Sequence, residues 1–190
     1  QTTNKQRGED FVNKLIEVYN LDANNDKKLI ATKTAEFIDE RIVIINRELG
    51  STEAELENFK RSAGLTSISD ANTFVQESSE YEKKRMDIGT QLNLMEYLRD
   101  YIDNRANQDA VIPSNVGVND VSLSALINKY NEMILERNRL LRTSSESNPV
   151  IIRKNSDLSA MRANIRSAIN SVYKGLLISK EDIDRQASKY

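Results

Sequence analysis

Residues 37–59 read FIDERIVIINRELGSTEAELENF and carry the most regular apolar pattern of the chain. The pattern alternates steps of four and three, which is the spacing of a coiled-coil seam. Its positions are Ile38, Ile42, Ile45, Leu49, Thr52, Leu56 and Phe59, and only Thr52 is not apolar. Gly50 lies inside the run and, with Ser51 and Thr52 after it, is locally typical of a helix end. Because the seam passes Gly50 in phase, we predict one helix that continues to about Ala63, at a cost of roughly 1 kcal/mol for the glycine.

The composition is that of an extended helical protein. The chain has 190 residues, of which 29% are charged, 38% hydrophobic and 6% aromatic, with 6 Gly and 2 Pro. A formal net charge of -2 favours neither nucleic acid nor an anionic membrane surface as a partner. With 0 Cys and 0 His, the chain offers no disulfide, thiol nucleophile, imidazole base or ordinary zinc site. It begins at Gln1 and shows neither a signal sequence nor an apolar run near the ~18 residues of a membrane span. We therefore expect it to be a piece of a larger protein.

The periodicity predicts a single extended all-α unit over residues 1–190, a long antiparallel helical hairpin or coiled-coil bundle of about four helices. The first helix covers residues 1–63, the second 70–107, the third 120–143 and the fourth 149–190, with a linker at 108–119. The first helix passes through a polar segment at residues 20–28 that contains neither glycine nor proline. At roughly 1.5 Å per residue it is about 80 Å long.

Local signals place the helix ends. Gly64 as a C′ residue and Ser69 or Asp70 as the next N-cap mark a chain reversal. After it, Phe74, Tyr81, Ile88, Met95 and Ile102 recur at strict sevens. This heptad stripe predicts that the second helix lies antiparallel against the first. Asp120 or Ser122 opens the third helix, and Asn148 with Pro149 forms an N-cap and N1 pair for the fourth, which we expect to be interrupted at Gly175.

Motifs that carry chemistry are missing from the sequence. There is no phosphate-binding glycine loop, and the carboxylates fall off the apolar stripes, where they solvate helix faces. Asp22 and Asp26 suggest a calcium loop, but the sixth-position glycine and the closing glutamate of an EF-hand are missing. We accordingly predict no catalytic residue, no cofactor and no metal.

A basic cluster at Arg137, Arg139 and Arg142 is the candidate contact site. Glu132 and Glu136 lie within a helical turn of it, so ordinary surface pairing is one interpretation. The other is that these arginines contact an acidic helix of a neighbouring subunit or an anionic polymer. Aromatic residues do not interleave with them, which argues against a stacking surface for nucleic acid. The remaining tyrosines at or near the stripes are assigned to the core: Tyr81, Tyr97, Tyr101 and Tyr130.

Four blocks of the sequence resemble one known family. They read FIDERIVIINRELGSTEAELENFKRSAGL, YNEMILERNRLL, SNPVI and LSAMRANIRSAI, between about Ala35 and Val172. Their order is similar to that in the periplasmic helical part of the chain-length determinants, the Wzz-type polysaccharide co-polymerases. The larger members of this family are membrane-bound bacterial tyrosine kinases of capsule and exopolysaccharide assembly. Family members often have His-Pro where this chain has Asn148-Pro149.

The resemblance implies the periplasmic part of an inner-membrane protein that forms a homo-oligomeric ring. Such a region would have the polysaccharide polymerase or export machinery as a partner, with the polysaccharide itself as another candidate. It would control chain length and export of a capsular, O-antigen or exopolysaccharide by setting the size of a compartment. The transmembrane spans, the α/β base and the kinase domain of such proteins do not occur in this chain, so no kinase activity is assigned to it. We expect this chain to be non-catalytic.

Two other functions agree with the same pattern. One is a cytosolic coiled-coil scaffold without any connection to polysaccharide. The other is the hairpin of a periplasmic adaptor in an efflux or secretion system, which would need flanking segments with short strands.

Overall fold

A computed structural model describes the backbone of residues 5–62, 68–113, 117 and 119–187. Within these ranges it also describes the side chains, except those of residues 44, 45, 47–79 and 187. Within these ranges the chain forms four long helices and no strand. They are α1 (Lys5–Ser62), α2 (Ile68–Asp103), α3 (Val121–Leu141) and α4 (Pro149–Ala187), with a short 3-10 helix (Arg105–Asn107) after α2. The prediction of an all-α fold with about four helices is confirmed.

The first helix continues through two segments whose local sequence is typical of a helix end or a loop. α1 has 58 residues and runs without interruption through the polar segment at 20–28 and through Gly50. The predicted reversal at Gly64 lies outside the described residues. α2 begins at Ile68, so Ser69 and Asp70 are inside the helix and not before it.

The other helix ends follow from capping side chains. Asp120 accepts a hydrogen bond from the Leu123 amide through Oδ1 at 2.7 Å, and Asn148 accepts one from the Val150 amide at 2.9 Å. α2 ends at Asp103, earlier than the predicted residue 107, because the Asn104 side chain accepts from the Ala106 amide and starts the 3-10 helix. The expected interruption at Gly175 is wrong: α4 is a single helix to Ala187. A helical glycine weakens such a helix by only about 1 kcal/mol, which packing on both sides can offset.

α4 is the central helix, and two shorter helices lie antiparallel to it. Along α2, Arg85 pairs with Asp184 at 3.2 Å, and Glu96 accepts a hydrogen bond from the Tyr173 hydroxyl at 2.9 Å. Along α3, Glu136 pairs with Lys154 at 2.8 Å. α3 thus covers the first half of α4 and α2 the second half. The buried core lies where the two meet: Leu94, Met95, Leu98, Ile102, Leu123, Ile127, Tyr130, Ile134, Leu158, Ile165 and Ile169.

α1 packs on this core with a face that the seam did not predict. Phe37 is 1% exposed and its ring lies 4.7 Å from that of Tyr97 in α2. Arg41, one turn on, is also buried and donates to the Thr90 carbonyl at 2.8 Å. The seam residues Ile38 and Ile42 are 39% and 50% exposed. The side chains of the seam from Ile45 to Phe59 lie outside the described residues.

The segment between α2 and α3 is part of the core and is more than a linker. Val111 and Ile112 are buried. The side-chain amide of Asn131, itself buried, donates to the Ile112 carbonyl and accepts from the Ile112 amide, both at 2.8 Å. Gly117 has a φ of 76°, a left-handed conformation that favours glycine. The two amide hydrogen bonds hold the returning chain against α3.

We expect Asn131→Leu to lower the free energy of unfolding by about 2–4 kcal/mol, because each buried polar group left unpaired at Ile112 costs about 1–3 kcal/mol. Asn128→Leu makes the same change at an exposed position of α3 and should shift stability by less than about 0.5 kcal/mol. Urea unfolding followed by circular dichroism measures both values. Equally small effects would show that the Asn131 amide does not hold the segment.

Candidate functional site

The structure separates the three arginines of the predicted contact site. Arg137 is 8% exposed and points into the protein. Its guanidinium donates to Asp109, to Asn155 Oδ1 at 3.2 Å and to Asn138 Oδ1 at 2.9 Å. Arg137 therefore holds the segment after α2 against α3 and α4.

Arg139 and Arg142 contact α1 of the same chain. Arg139 donates to Asp26, and Arg142 donates to Asp22. The hydrogen bond to Asp26 is the main cause of a raised pKa of Arg139. Glu136, one of the two glutamates expected beside these arginines, pairs with Lys154 instead, which lowers the pKa of Glu136. Glu132 pairs with Lys129 at 3.5 Å.

These ion pairs explain the acidic positions that suggested a calcium loop. Asp22 and Asp26 lie one turn apart on α1 and face the last turn of α3. They are partners of arginines, and the described residues contain no group of three or more His, Cys, Asp or Glu that could hold a metal ion. The side chains of Arg139 and Arg142 stay 45% and 59% exposed in these ion pairs. Their contact with another subunit or a polymer stays a prediction.

A polar cleft of about 580 Å³ lies where α2 ends against α4. Its walls come from the 3-10 helix, from α3 at Tyr130 and Arg137, and from α4 at Asn155, Ser159 and Arg162. Carboxylates and guanidiniums both line it, and they neutralise each other in two pairs, Arg137 with Asp109 and Arg166 with Asp103. The cleft can hold a polar group.

Arg162 is the residue that builds this cleft. From α4, its Nη2 donates to the Ile102 carbonyl at 2.6 Å and its Nη1 to the Asn107 carbonyl at 3.1 Å. Nη1 also donates to the Tyr130 hydroxyl at 3.2 Å. The cation thus stabilises the negative end of the α2 dipole and the carbonyls there that lack a helical partner. The sequence held one signal of this role, since Arg162 stands at helical spacing between Leu158 and Ile165, among core positions of α4.

Burial raises the pKa of three of the tyrosines assigned to the core, Tyr97, Tyr101 and Tyr130. Tyr130 is fully buried, and its hydroxyl donates to the Gln108 carbonyl at 3.1 Å. Burial, followed by the charge of Glu40, raises the pKa of Tyr97 to about 12. These phenols donate hydrogen bonds at neutral pH and do not act there as bases.

Comparison of the chain with models of known protein families, with curated proteins and with solved structures gives no match. None of the helices in the described part of the chain contains an apolar stretch of the length that a membrane span needs.

We expect Arg162→Met to lower the free energy of unfolding by about 3 kcal/mol or more, because it leaves carbonyls at the end of α2 without their charged donor. Arg166→Met, one turn on in α4, removes a half-exposed ion pair to Asp103 and should cost less than about 1 kcal/mol. Urea unfolding of both variants tests the difference. Similar losses in the two variants would contradict the capping role of Arg162.

A charge swap tests the contact between α1 and α3. Asp26→Arg should destabilise the protein by about 1–2 kcal/mol through repulsion from Arg139, and adding Arg139→Asp should restore most of that loss. A double-mutant cycle of unfolding free energies at low salt measures the coupling, which high salt should reduce. If the second substitution adds to the loss, the pair is not formed in solution.

Proposed function

We propose that this chain is a non-catalytic helical region whose role is to associate with other copies of itself. One observation carries the proposal: α1 leaves apolar side chains exposed at regular helical spacing. Ile38 and Ile42 lie in the seam, on a face of α1 next to the docked positions Phe37 and Arg41, and they stay accessible although the helix is docked on the bundle. A regular apolar stripe on a long helix is the surface that helix–helix association buries.

The bundle explains why this stripe is open for a neighbour. α1 contacts α2 through Phe37 and Arg41 and contacts α3 through Asp22 and Asp26. These contacts use one face of α1. Chains standing side by side could then join through the adjacent seam face without changing the fold of each subunit.

The more specific proposal is control of polysaccharide chain length, and it rests on the sequence resemblance to the chain-length determinants. In that setting the helices of several subunits stand side by side in the periplasm and set the width of a compartment at the polymerase or export machinery. Arg139 and Arg142 would be the charged groups at the rim of such contacts. A protein that sets the width of a compartment must be rigid, and the helical bundle would supply that rigidity.

The proposal is tested by the mass of the protein as a function of concentration. Ile42→Glu should weaken self-association at least about tenfold, because it places a charge in an apolar contact. Thr32→Glu, at an exposed position of α1 off the seam, should leave the association unchanged. Multi-angle light scattering measures both.

The polysaccharide setting needs a readout of its own. In cells that make the full-length protein, Ile42→Glu should change the length distribution of the surface polysaccharide, and Thr32→Glu should not. A monomeric wild-type protein at all concentrations would overturn self-association. An unchanged length distribution in the Ile42→Glu strain would overturn the polysaccharide setting.

A further inference from the structure

α1 extends beyond the bundle at its N-terminal end. Asp22 pairs with Arg142, the C-cap residue directly after α3. Residues 5–21, here called the arm, therefore continue past α3 for about 25 Å at ~1.5 Å per residue. Every residue of the arm except Gly8 is exposed.

The arm carries an apolar stripe that continues the face of α1 docked on the bundle. The docked face includes Asp22, Asp26, Ile30 and Phe37. Upstream, the same steps of three and four lead to Phe11, Leu15 and Tyr19, which are 68%, 58% and 71% exposed, with Val18 beside them. A solvated helix face has no reason to be apolar at these positions, so the stripe has the character of a contact surface.

The bundle itself indicates the direction of a helix that would cover the stripe. α3, which faces this side of α1, runs antiparallel to it, since Asp22 pairs with Arg142 and Asp26 with Arg139. A helix that covers the stripe would lie in line with α3, beyond its end. A parallel arm from a second copy is blocked, because the two α3 helices would then need the same space between the two α1 helices.

A second arm fits this position in its apolar pattern and its charge. In the antiparallel register that places Phe11 of each copy opposite Leu15 of the other, the two exposed stripes cover each other beyond α3. The charges of the arm balance, so two arms do not repel each other; they are Lys5, Arg7, Glu9, Asp10, Lys14 and Glu17. The basic first turn of one copy comes within about a turn of Asp22 of the other.

We propose that the arm pairs with the arm of a second copy in an antiparallel, two-fold symmetric dimer. The proposal rests on the self-association proposed above and goes beyond it by naming a different surface and an orientation. Copies fixed in one membrane stand parallel and cannot pair in this way. Antiparallel arms would therefore favour the coiled-coil scaffold over the polysaccharide setting.

The surface is tested by matched substitutions in the full chain. Leu15→Glu should weaken dimerisation at least about tenfold, whereas Asn13→Glu, on the opposite side of the arm, should not change it. Two short helices bury an area of about 1,200 Å², which is near the lower end for specific interfaces and gives a weak dimer. The mass of the protein should therefore be measured at concentrations up to about 1 mM. Circular dichroism serves as a check that both variants keep the fold.

The orientation is tested by spin labels. The chain has 0 Cys, so a single cysteine at Asn13 or at Asn24, both exposed, can be labelled specifically. In an antiparallel pair centred near Asn13, the two Asn24 labels are separated along the axis by about 33 Å more than the two Asn13 labels. In a parallel pair the two sites give the same separation. Pulsed electron paramagnetic resonance measures both distances.

The outcomes separate the arm from the seam. Dimerisation lost in Leu15→Glu but kept in Asn13→Glu, with the longer distance at Asn24, supports the proposal. Association that survives Leu15→Glu and is lost in Ile42→Glu overturns the arm dimer but leaves the proposed self-association intact. Equal distances at the two label sites overturn the antiparallel pair, and a wild-type monomer at all concentrations overturns both proposals.

Discussion

The guanidinium of Arg162 joins three helices at one point. It reaches from α4 to carbonyls at the end of α2 and just after it, and to the Tyr130 hydroxyl of α3. The charge lies where the α2 dipole is negative and where the last carbonyls have no helical partner. This contact fixes where α2 ends against α4. The positions of the segment after α2 and of the polar cleft follow from it.

A second constraint is the difference in length between α1 and the helices that cover it. A helix is docked only over the stretch where neighbours bury its face, and α3 ends at the level of Asp22. The apolar pattern of α1 continues beyond this level, and its seam stripe turns away from the bundle at Ile38 and Ile42. Both proposals depend on the apolar surface of α1 that the rest of the same chain does not cover. They assign it to two different contacts.

Several features were predictable because they depend on neighbouring residues. The caps at Asp120 and Asn148 follow from the preference of short polar side chains for the first amides of a helix. The continuity of α1 through Gly50 follows from the phase of the seam, which outweighs the roughly 1 kcal/mol that a glycine costs. Partners of the arginines were not predictable. Arg139 has Glu136 within a turn, yet Arg139 and Arg142 contact aspartates more than a hundred residues away in sequence.

The sequence by itself determined the class of the fold, four long helices, because helical periodicity and capping are local properties of a chain. Only the tertiary structure decided which stripe of α1 is buried, since Phe37 and Ile38 are neighbours with similar hydrophobicity and the choice depends on the shape of the surface around Tyr97. It likewise decided that Arg137 lies inside and that Asp22 and Asp26 bind arginines. The position of a charge in a folded protein is set by elements that meet only when the chain is packed.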